Sequence, residues 1–271
     1  SNGVGADEDY LTVKYSSTGA QLWEARYNGP GNEYDIPEAI TVDKKGNVYV
    51  TGSSHGVGTG PDYLTIKYNS NGVQQWMSRY NGPGNSSDNA SSIVVDESGY
   101  VYITGAIRAE NGYAEFGTIK YDSMGVRMWL VRYSGQVVGS DYGSSLAIDS
   151  LGFVYVTGYS RSTTSNPNFD YATIKYSPAG GQQWVSRYNG NSNLDDRPTS
   201  ISVDRFGSVV VTGYSHVGYT EYKCLTIKYN SIGELQWAAK YEPQFGYPKS
   251  LATDILGNVY ITGVSADDYL T

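Results

Sequence analysis

Residues 62–105 read DYLTIKYNSNGVQQWMSRYNGPGNSSDNASSIVVDESGYVYITG, and the same pattern recurs through the chain. The T-[IV]-K-Y motif around Lys67 and the Asp96-x-x-Gly99 turn before VYITG both return in every copy. Trp76 has four counterparts, spaced 53 or 55 residues apart: Trp23, Trp129, Trp184 and Trp237. A fixed period of this length indicates a repeat architecture. The chain therefore consists of five copies of one unit.

Each unit contains four short segments rich in Val, Ile, Thr, Tyr and Trp, a composition typical of strands. In the second copy they are residues 91–96 (A), 99–105 (B), 63–68 (C) and 73–80 (D). The A–B connection (DESG) and the C–D connection (NSNG) carry the residues that tight turns require. No helical period competes, so the sequence predicts an all-β protein.

A four-stranded unit of about 50 residues, repeated five times, is typical of a β-propeller. We therefore predict a single five-bladed β-propeller domain over residues 1–271, with four antiparallel strands per blade. We expect the repeated Trp, Tyr and aliphatic residues to form the core between neighbouring blades. The repeated Lys and Arg should pack their stems along strands, with charged tips at blade edges or paired with carboxylates. The copies span about 9–61, 62–115, 116–169, 170–222 and 223–267.

The two ends of the chain carry complementary strand segments. The chain begins with C and D segments (residues 10–15 and 21–27) and ends with A and B segments (249–254 and 257–263). We predict that the N-terminal strands complete the last blade and close the ring, because closure removes exposed edges. Asp268–Thr271 repeats the sequence of residues 9–12, so two segments compete for one C position. This surplus segment either comes from a longer array cut at this point and packs loosely, or is donated between subunits.

Composition excludes several classes of partner. The chain has 19 Lys and Arg against 27 Asp and Glu, a formal charge of −8, and no basic block. Nucleic acids and anionic membrane surfaces require a concentrated positive footprint, so we expect neither as a partner. No apolar run approaches the roughly 20 residues that a membrane-spanning helix needs, and no signal peptide is apparent. A single cysteine, Cys224, excludes an internal disulfide.

The linked motifs resemble a known family. The pattern D-Y-L-T-[IV]-K-Y, x-S-x-G, x-Q-W, R-Y-N-G and V-D-x-x-G-N-V-Y-V-T-G is similar to the bacterial and archaeal SBBP β-propeller repeats, and more distantly to NHL repeats. The resemblance covers about residues 9–271. It implies a secreted or cell-surface protein, often part of a longer chain, and it implies no reaction and no catalytic residues.

The two ends of the strands differ in sequence variability. The A–B and C–D turns are nearly the same in every copy, whereas the B–C loops at the other end differ in length and residue type. Recognition residues are often carried on variable loops of a rigid scaffold. Aromatic residues mixed with Asn, Ser and Arg suit sugars or peptides; alternatively, these are ordinary solvated loops with aromatics folded onto the rim. The candidate ligand-binding residues are His55, Arg108, Tyr113, Tyr159, Arg161, Phe169, Tyr214, His216, Tyr219 and Tyr222.

Four D–A loops also carry an aspartate in the same register, while the fifth copy has a deletion and Gly246 instead. Such acids could hold Ca²⁺, which prefers oxygen ligands. Alternatively, each acid ties its own loop through a bond to backbone. No other cofactor is expected. The four residues are Asp35, Asp88, Asp141 and Asp196.

The sequence gives little support for an enzyme. It has no G-x-S-x-G, H-E-x-x-H, P-loop or Cys/His metal spacing. A glycosidase needs two carboxylates about 5–10 Å apart, but most acids here recur by symmetry. We therefore predict a non-catalytic extracellular scaffold, or a module that binds protein or ligand at the B–C and D–A loops. The alternatives are a multivalent lectin, and a subunit of a homomeric fibre or surface layer that associates through Asp268–Thr271.

Overall fold

The computed structural model describes residues 8–162, 168–218, 221–241, 246–264 and 269–270. All regular structure in these residues is β, and no helix able to cross a membrane occurs among them. The strands are β1 (Tyr10–Tyr15), β2 (Gln21–Tyr27), β3 (Asp35–Val42), β4 (Val48–Gly56), β5 (Gly60–Tyr68), β6 (Gln74–Tyr80), β7 (Asn89–Val95), β8 (Val101–Arg108), β9 (Ala114–Tyr121), β10 (Arg127–Tyr133), β11 (Asp141–Ile148), β12 (Val154–Arg161), β13 (Phe169–Tyr176), β14 (Gln182–Tyr188), β15 (Asp196–Val203), β16 (Val209–His216), β17 (Tyr222–Tyr229), β18 (Leu235–Lys240), β19 (Tyr247–Thr253), β20 (Val259–Val264) and β21 (Tyr269–Leu270).

The strands form antiparallel sheets in which A, B, C and D lie side by side in chain order. Four sheets have four strands: β3 to β6, β7 to β10, β11 to β14 and β15 to β18. The predicted all-β class and the four-stranded antiparallel unit are confirmed. The B strands run past the predicted glycine ends by one to four residues, as in β8, which continues to Arg108.

The terminal strands are paired differently from the prediction. β1 pairs with β2 in a two-stranded sheet, and β19, β20 and β21 form a three-stranded sheet. Gly263 and Val264 of β20 pair with Leu270 and Tyr269, so β21 occupies the C position beside β20. The predicted completion of the last blade by β1 and β2 is therefore not observed in the described residues. Asp268 and Thr271, the ends of the surplus segment, lie outside those residues.

The chain divides into two compact units, with the boundary between Arg132 and Tyr133. Each unit has a core between neighbouring sheets, as expected for a stack of repeats. In the first unit, Tyr49 and Tyr63 pack with Val101, Ile103 and Ile119. In the second, buried residues of β12 to β17 pack together: Tyr155, Tyr171, Ile201, Val209, Val211, Leu225, Ile227 and Tyr229.

The A–B turns are held by the repeated aspartate. Asp96 Oδ1 accepts the backbone N–H groups of Ser98 and Tyr100, each at 2.9 Å, and Oδ2 accepts the Tyr102 hydroxyl at 3.0 Å. Gly99 completes the turn with a φ of +83°, a conformation that favours glycine. The side chain thus satisfies backbone donors that a tight turn leaves free.

A second repeated contact joins neighbouring sheets. Trp76 Nε1 donates to the Ser123 carbonyl at 3.1 Å, and Lys67 Nζ donates to the same oxygen at 3.3 Å. Gly125 lies beneath the indole; a Cβ there would be 2.6 Å from a ring atom. The repeated lysine therefore binds a backbone carbonyl of the neighbouring sheet. The same contact recurs with Trp23, Lys14 and Ser70, and with Trp184, Lys175 and Ser231.

The last tryptophan departs from this pattern. Trp237 on β18 is 39% exposed, whereas the equivalent residues Trp23, Trp76 and Trp184 are half-buried. The expectation that all five tryptophans are core residues is therefore wrong for Trp237 in this structure. The physical reason is that no described C–D turn packs against it, because β21 contributes only two residues.

Candidate functional site

The aspartates of the D–A loops bind the backbone of their own loops. Asp88 Oδ2 accepts the Gly82 N–H at 2.5 Å, and Oδ1 accepts the Arg108 N–H at 2.6 Å. Burial raises the pKa of Asp88 and of Asp196 above the ordinary range. These contacts are those of the loop-tying alternative, and calcium binding stays a prediction. Among the residues with described positions, no three His, Cys, Asp or Glu side chains are placed to hold a metal ion. The equivalent bonds run from Gly29 to Asp35, Gly135 to Asp141 and Gly190 to Asp196.

Beneath these loops, the repeated arginine of strand D organises a buried polar cluster. Arg79 donates to the Ser54 carbonyl at 2.5 Å, to the Ser54 hydroxyl at 2.6 Å and to Asp62 at 3.0 Å. It also reaches the Tyr27 hydroxyl of the preceding sheet at 3.2 Å. Arg187 makes the corresponding contacts with Ser160 and, at 3.5 Å, with Asp170. These arginines support the loop end of the sheets.

The loop end of the second unit carries a row of stacked rings and one guanidinium, which we call the aromatic ladder. Tyr142 and Tyr159 stack with ring centroids 4.9 Å apart, and Tyr214 and Tyr247 stack at 4.3 Å. Between the two pairs lies Arg197, whose Cζ is 4.9 Å from the centre of the Tyr159 ring. The ladder therefore comprises Tyr142, Tyr159, Arg197, Tyr214 and Tyr247. Its flanking rings are Phe169, His216 and Tyr222.

Strand register places the ladder residues together. Tyr142 is the cross-strand partner of Tyr159, and Arg197 is the partner of Tyr214. On strand A, the ladder residue comes directly after the D–A aspartate. On strand B, it comes directly after the Thr-Gly pair. Tyr247 occupies the same strand A position in the last copy, and its ring stacks on Tyr214 of the preceding sheet.

The first unit has no such ladder at the same register. Ile36 is paired with Ser53 there, and Asn89 is paired with Ala106. The aromatic ladder is therefore a local departure from repeat symmetry. Comparison of the residue after each D–A aspartate reveals this departure in the sequence, whereas variability of the B–C loops points only to the strand B side.

The ladder is polar as well as aromatic. Arg197 forms an ion pair with Asp195 at 2.8 Å, and both side chains are partly exposed, at 35% and 29%. Asp195 also accepts the Phe169 N–H at 3.1 Å, which fixes its orientation. Lys249 Nζ lies 4.7 Å from the centre of the Tyr247 ring. Burial raises the pKa of Tyr159, although the nearby Arg197 charge opposes the shift. The Tyr159 phenol is therefore a neutral hydrogen-bond donor at physiological pH.

The predicted site residues divide between the two units. Tyr159, Phe169, Tyr214, His216 and Tyr222 meet at the aromatic ladder, with Arg161 5.8 Å from the Phe169 ring centre. Tyr142, Arg197, Tyr247, Asp195 and Lys249 belong to the same cluster but were missed. Tyr214 is only 8% exposed, because its ring packs among Tyr247, His216 and Tyr222, so it is not an open stacking platform.

Three other candidates lie in the first unit and form no comparable cluster among the described residues: His55, Arg108 and Tyr113. His55 Nδ1 contacts Glu33 at 2.8 Å, and Arg108 donates to the Gly112 carbonyl at 3.0 Å. Tyr113 is exposed. Tyr219 lies outside the described residues.

Comparison with solved structures gives distant likenesses. A eukaryotic initiation factor shares 8% identity at a TM-score of 0.41, over 87% of this chain and 64% of that chain, so this chain spans less than two thirds of it. A thermostable family-43 glycoside hydrolase shares 11% identity at 0.46, over 86% and 84%. An exo-1,5-α-L-arabinanase from a bovine ruminal metagenomic library shares 11% at 0.40, over 87% and 94%. We infer no function from these likenesses. No match was found among curated proteins.

Comparison with protein families matches the repeat. A family described as the SBBP β-propeller repeat matches residues 25–58, 75–107, 131–163 and 247–269. Each matched stretch contains one A and one B strand, namely β3 and β4, β7 and β8, β11 and β12, and β19 and β20. The matches therefore coincide with the paired A and B strands of four repeats. The chain therefore contains SBBP β-propeller repeats at these four places.

Proposed function

We propose that the chain is a non-catalytic binding module whose recognition surface is the aromatic ladder of the second unit. One observation carries the proposal: three consecutive sheets place Tyr142, Arg197 and Tyr247 where the first unit has Ile36 and Asn89. Stacking of repeats requires only the shared core residues. Rings and a cation added at the loop end are therefore best explained by recognition.

The partners and burial of the aspartates near the ladder support a role without catalysis. Asp141 and Asp196 accept backbone N–H groups, and Asp195 is paired with Arg197. Burial raises the pKa of Asp170 to about 6, a value suited to a general acid. However, Asp170 is 5% exposed, and Arg187 lies beside it, so a substrate would have no direct access to it.

Substitution at matched positions of the two units tests the proposal. Arg197→Gln should abolish binding of any ligand found on a combined glycan and protein array, whereas Asn89→Ala, at the same register of the first unit, should not. Both variants must first show an unchanged β-sheet circular dichroism spectrum. Ligand binding that survives both Arg197→Gln and Tyr247→Ala would show that the recognition surface lies elsewhere.

We further propose that the protein is located outside the cell or at its surface, as the SBBP resemblance implies. Protease treatment of intact cells tests this location. The chain should be digested without lysis, while a cytoplasmic marker remains intact; protection until lysis would contradict it.

We also propose that the repeats form five blades in a ring, which β1 and β2 close by completing the last blade. At one end, Trp237 is exposed, and a cavity of about 480 Å³ is lined by Lys228, Phe206 and Gly257. In other copies the equivalent Lys and Trp bind the next C–D turn. At the other end, the β1–β2 turn offers Gly19, which has no atom within 4 Å of an added Cβ, and Tyr15, which is 61% exposed. Among the described residues, the C-terminal end thus lacks a C–D turn to cover Trp237, and the N-terminal end carries such a turn with nothing packed on it.

Ring closure predicts that Trp237 is packed in the folded protein. In a closed ring, Trp237→Ala should lower the free energy of unfolding by about 3 kcal/mol, as truncation of a packed aromatic residue does. A cost below about 1 kcal/mol, typical of surface positions, would argue for open ends. A variant lacking residues 265–271 should keep its stability, because β1 can take the C position from β21.

Self-association through Asp268–Thr271 is the alternative use of the surplus strand. In the structure, Tyr269 and Leu270 pair with β20 of the same chain. Strand exchange between copies would require that pairing to open. Concentration-dependent assembly that disappears when residues 268–271 are deleted would support this alternative, and a monomer at all concentrations would exclude it.

A further inference from the structure

Building on the proposed function, we propose that the aromatic ladder binds an acidic saccharide, a sugar chain that carries uronic-acid carboxylates. Arg197 and Asp195 would form the polar contact, Tyr247 the apolar contact and Lys249 the second cation. The inference rests on the chemistry of the exposed groups, the local charge and the state of the neighbouring strand edges.

The exposed polar pair matches sugar chemistry. The Arg197 guanidinium lies over Tyr159 and Phe169, with Cζ 4.9 and 5.1 Å from the ring centres. Contacts to two rings hold the plane of the guanidinium, so its donors form a fixed fork. One donor bonds Asp195 at 2.8 Å, and about a third of each side chain stays exposed. A fixed donor beside an acceptor suits adjacent sugar hydroxyls, and the remaining guanidinium donors suit a carboxylate.

The local charge favours an acidic ligand. The chain as a whole is acidic, with a formal charge of −8. At the ladder, however, Arg161, Arg197 and Lys249 are partly or fully exposed, and Asp195 is a partly exposed acid beside them. The adjacent Asp141 and Asp196 are buried and bonded to backbone N–H groups. Lys249 is exposed, and its position in the first unit is taken by Glu38 in β3, which reverses the charge, and by Ser91 in β7. An anion is therefore attracted to this end of the second unit, since opposite surface potentials attract.

The neighbouring strand edges disfavour an extended peptide. Strands β11, β15 and β19 are the edge strands beside the ladder. The pairing register of each shifts near its start, at Gly143/Ser145, Pro198/Ser200 and Pro248/Ser250. Bulges and prolines at an edge prevent a further strand from pairing with that edge through regular backbone hydrogen bonds. A ligand held through rings, hydroxyls and carboxylates is consistent with these edges, whereas strand addition is not.

Calorimetric titration with an oligogalacturonate and with the matching neutral oligogalactoside tests the inference. The acidic sugar should bind saturably, at least about tenfold more tightly than the neutral one, and more weakly as salt rises. Lys249→Glu should lower its affinity at least several-fold. Because Lys249 is exposed, this variant should keep the wild-type melting temperature. Arg197→Gln should abolish binding, and Asn89→Ala should leave it unchanged.

Three outcomes would overturn the inference: no binding of the acidic sugar, equal binding of both sugars, or unchanged affinity in Lys249→Glu. The proposed function is separable from it. If the array yields a protein ligand that depends on Arg197 while no acidic sugar binds, the ladder remains a recognition surface and only the ligand class is wrong.

Discussion

Trp76 Nε1 donates a hydrogen bond to the carbonyl oxygen of Ser123, which lies on the next sheet of the first unit, at 3.1 Å. The indole stands over Gly125 and beside Tyr49 and Tyr121. Neighbouring sheets are thus joined by side chains that reach a turn one repeat further along. This contact explains why the T-[IV]-K-Y lysine, the tryptophan and the turn glycine recur together.

Truncation of this tryptophan should weaken the first unit. Trp76→Ala removes the ring contacts and the bond to Ser123, and we expect a loss of about 3 kcal/mol in the free energy of unfolding. Trp76→Phe keeps a ring but removes the donor, so its loss should be smaller. Urea titration followed by circular dichroism measures both. A loss below about 1 kcal/mol in Trp76→Ala would mean that the contact is not part of the folding core.

The glycine beneath the indole should tolerate no side chain. Gly125→Ala adds a Cβ that meets the Trp76 ring at 2.6 Å, at a φ of +82°. Gly112→Ala is the matched control, because its φ is +81° and nothing lies within 4 Å. Both variants incur the left-handed backbone cost of about 1–2 kcal/mol, and Gly125→Ala should lose clearly more. Equal losses in thermal denaturation would contradict the close approach of the indole.

The buried ion pair of Arg79 should be sensitive to removal of one partner. Arg79→Gln leaves the Asp62 carboxylate, 1% exposed, without its cation, and such a loss typically costs about 3–5 kcal/mol. Asp62→Asn in the same chain should restore part of the stability. Lys44→Gln serves as the control, since the Lys44–Glu97 pair is exposed to solvent, which screens the two charges, and its loss should leave the stability nearly unchanged. Similar costs for Arg79→Gln and Lys44→Gln would refute the buried role.

Asp170 should make stability depend on pH. Burial raises its pKa from 3.8 to about 6, so the folded state binds a proton more tightly than the unfolded chain. The stabilisation that Asp170 contributes to the free energy of unfolding is therefore greatest below pH 3.8 and is lost as the pH rises through 6. Removal of the charge in Asp170→Asn should raise the melting temperature relative to wild type progressively between pH 4 and pH 7.

The control for this titration is Ser160→Ala, which removes a partner of Arg187 without removing a titrating group. Its melting temperature should differ from wild type by the same amount at every pH in that range. A constant difference for Asp170→Asn as well would show that the Asp170 carboxyl does not titrate there.

The repeat made much of the fold predictable. The recurrence of Trp76 and Asp96 identified the copies, and the turn residues located the A–B and C–D hairpins because those contacts are local in sequence. The lysine partners were not predictable, since Lys67 reaches a carbonyl 56 residues away. The aromatic ladder was half predicted: the B–C loop argument found Tyr159 and Tyr214 but not Tyr142 or Arg197.

The sequence by itself determined the strands, their order within each four-stranded sheet and the repeating core, because alternation and turn chemistry act over a few residues and recur in every copy. Only the tertiary structure decided which exposed candidates meet. Stacking of Tyr247 on Tyr214 and of Arg197 on Tyr159 depends on how adjacent sheets pack. Tertiary packing also distinguished Trp237 from Trp76, because identical residues differ in burial when only one has a neighbouring turn to cover it.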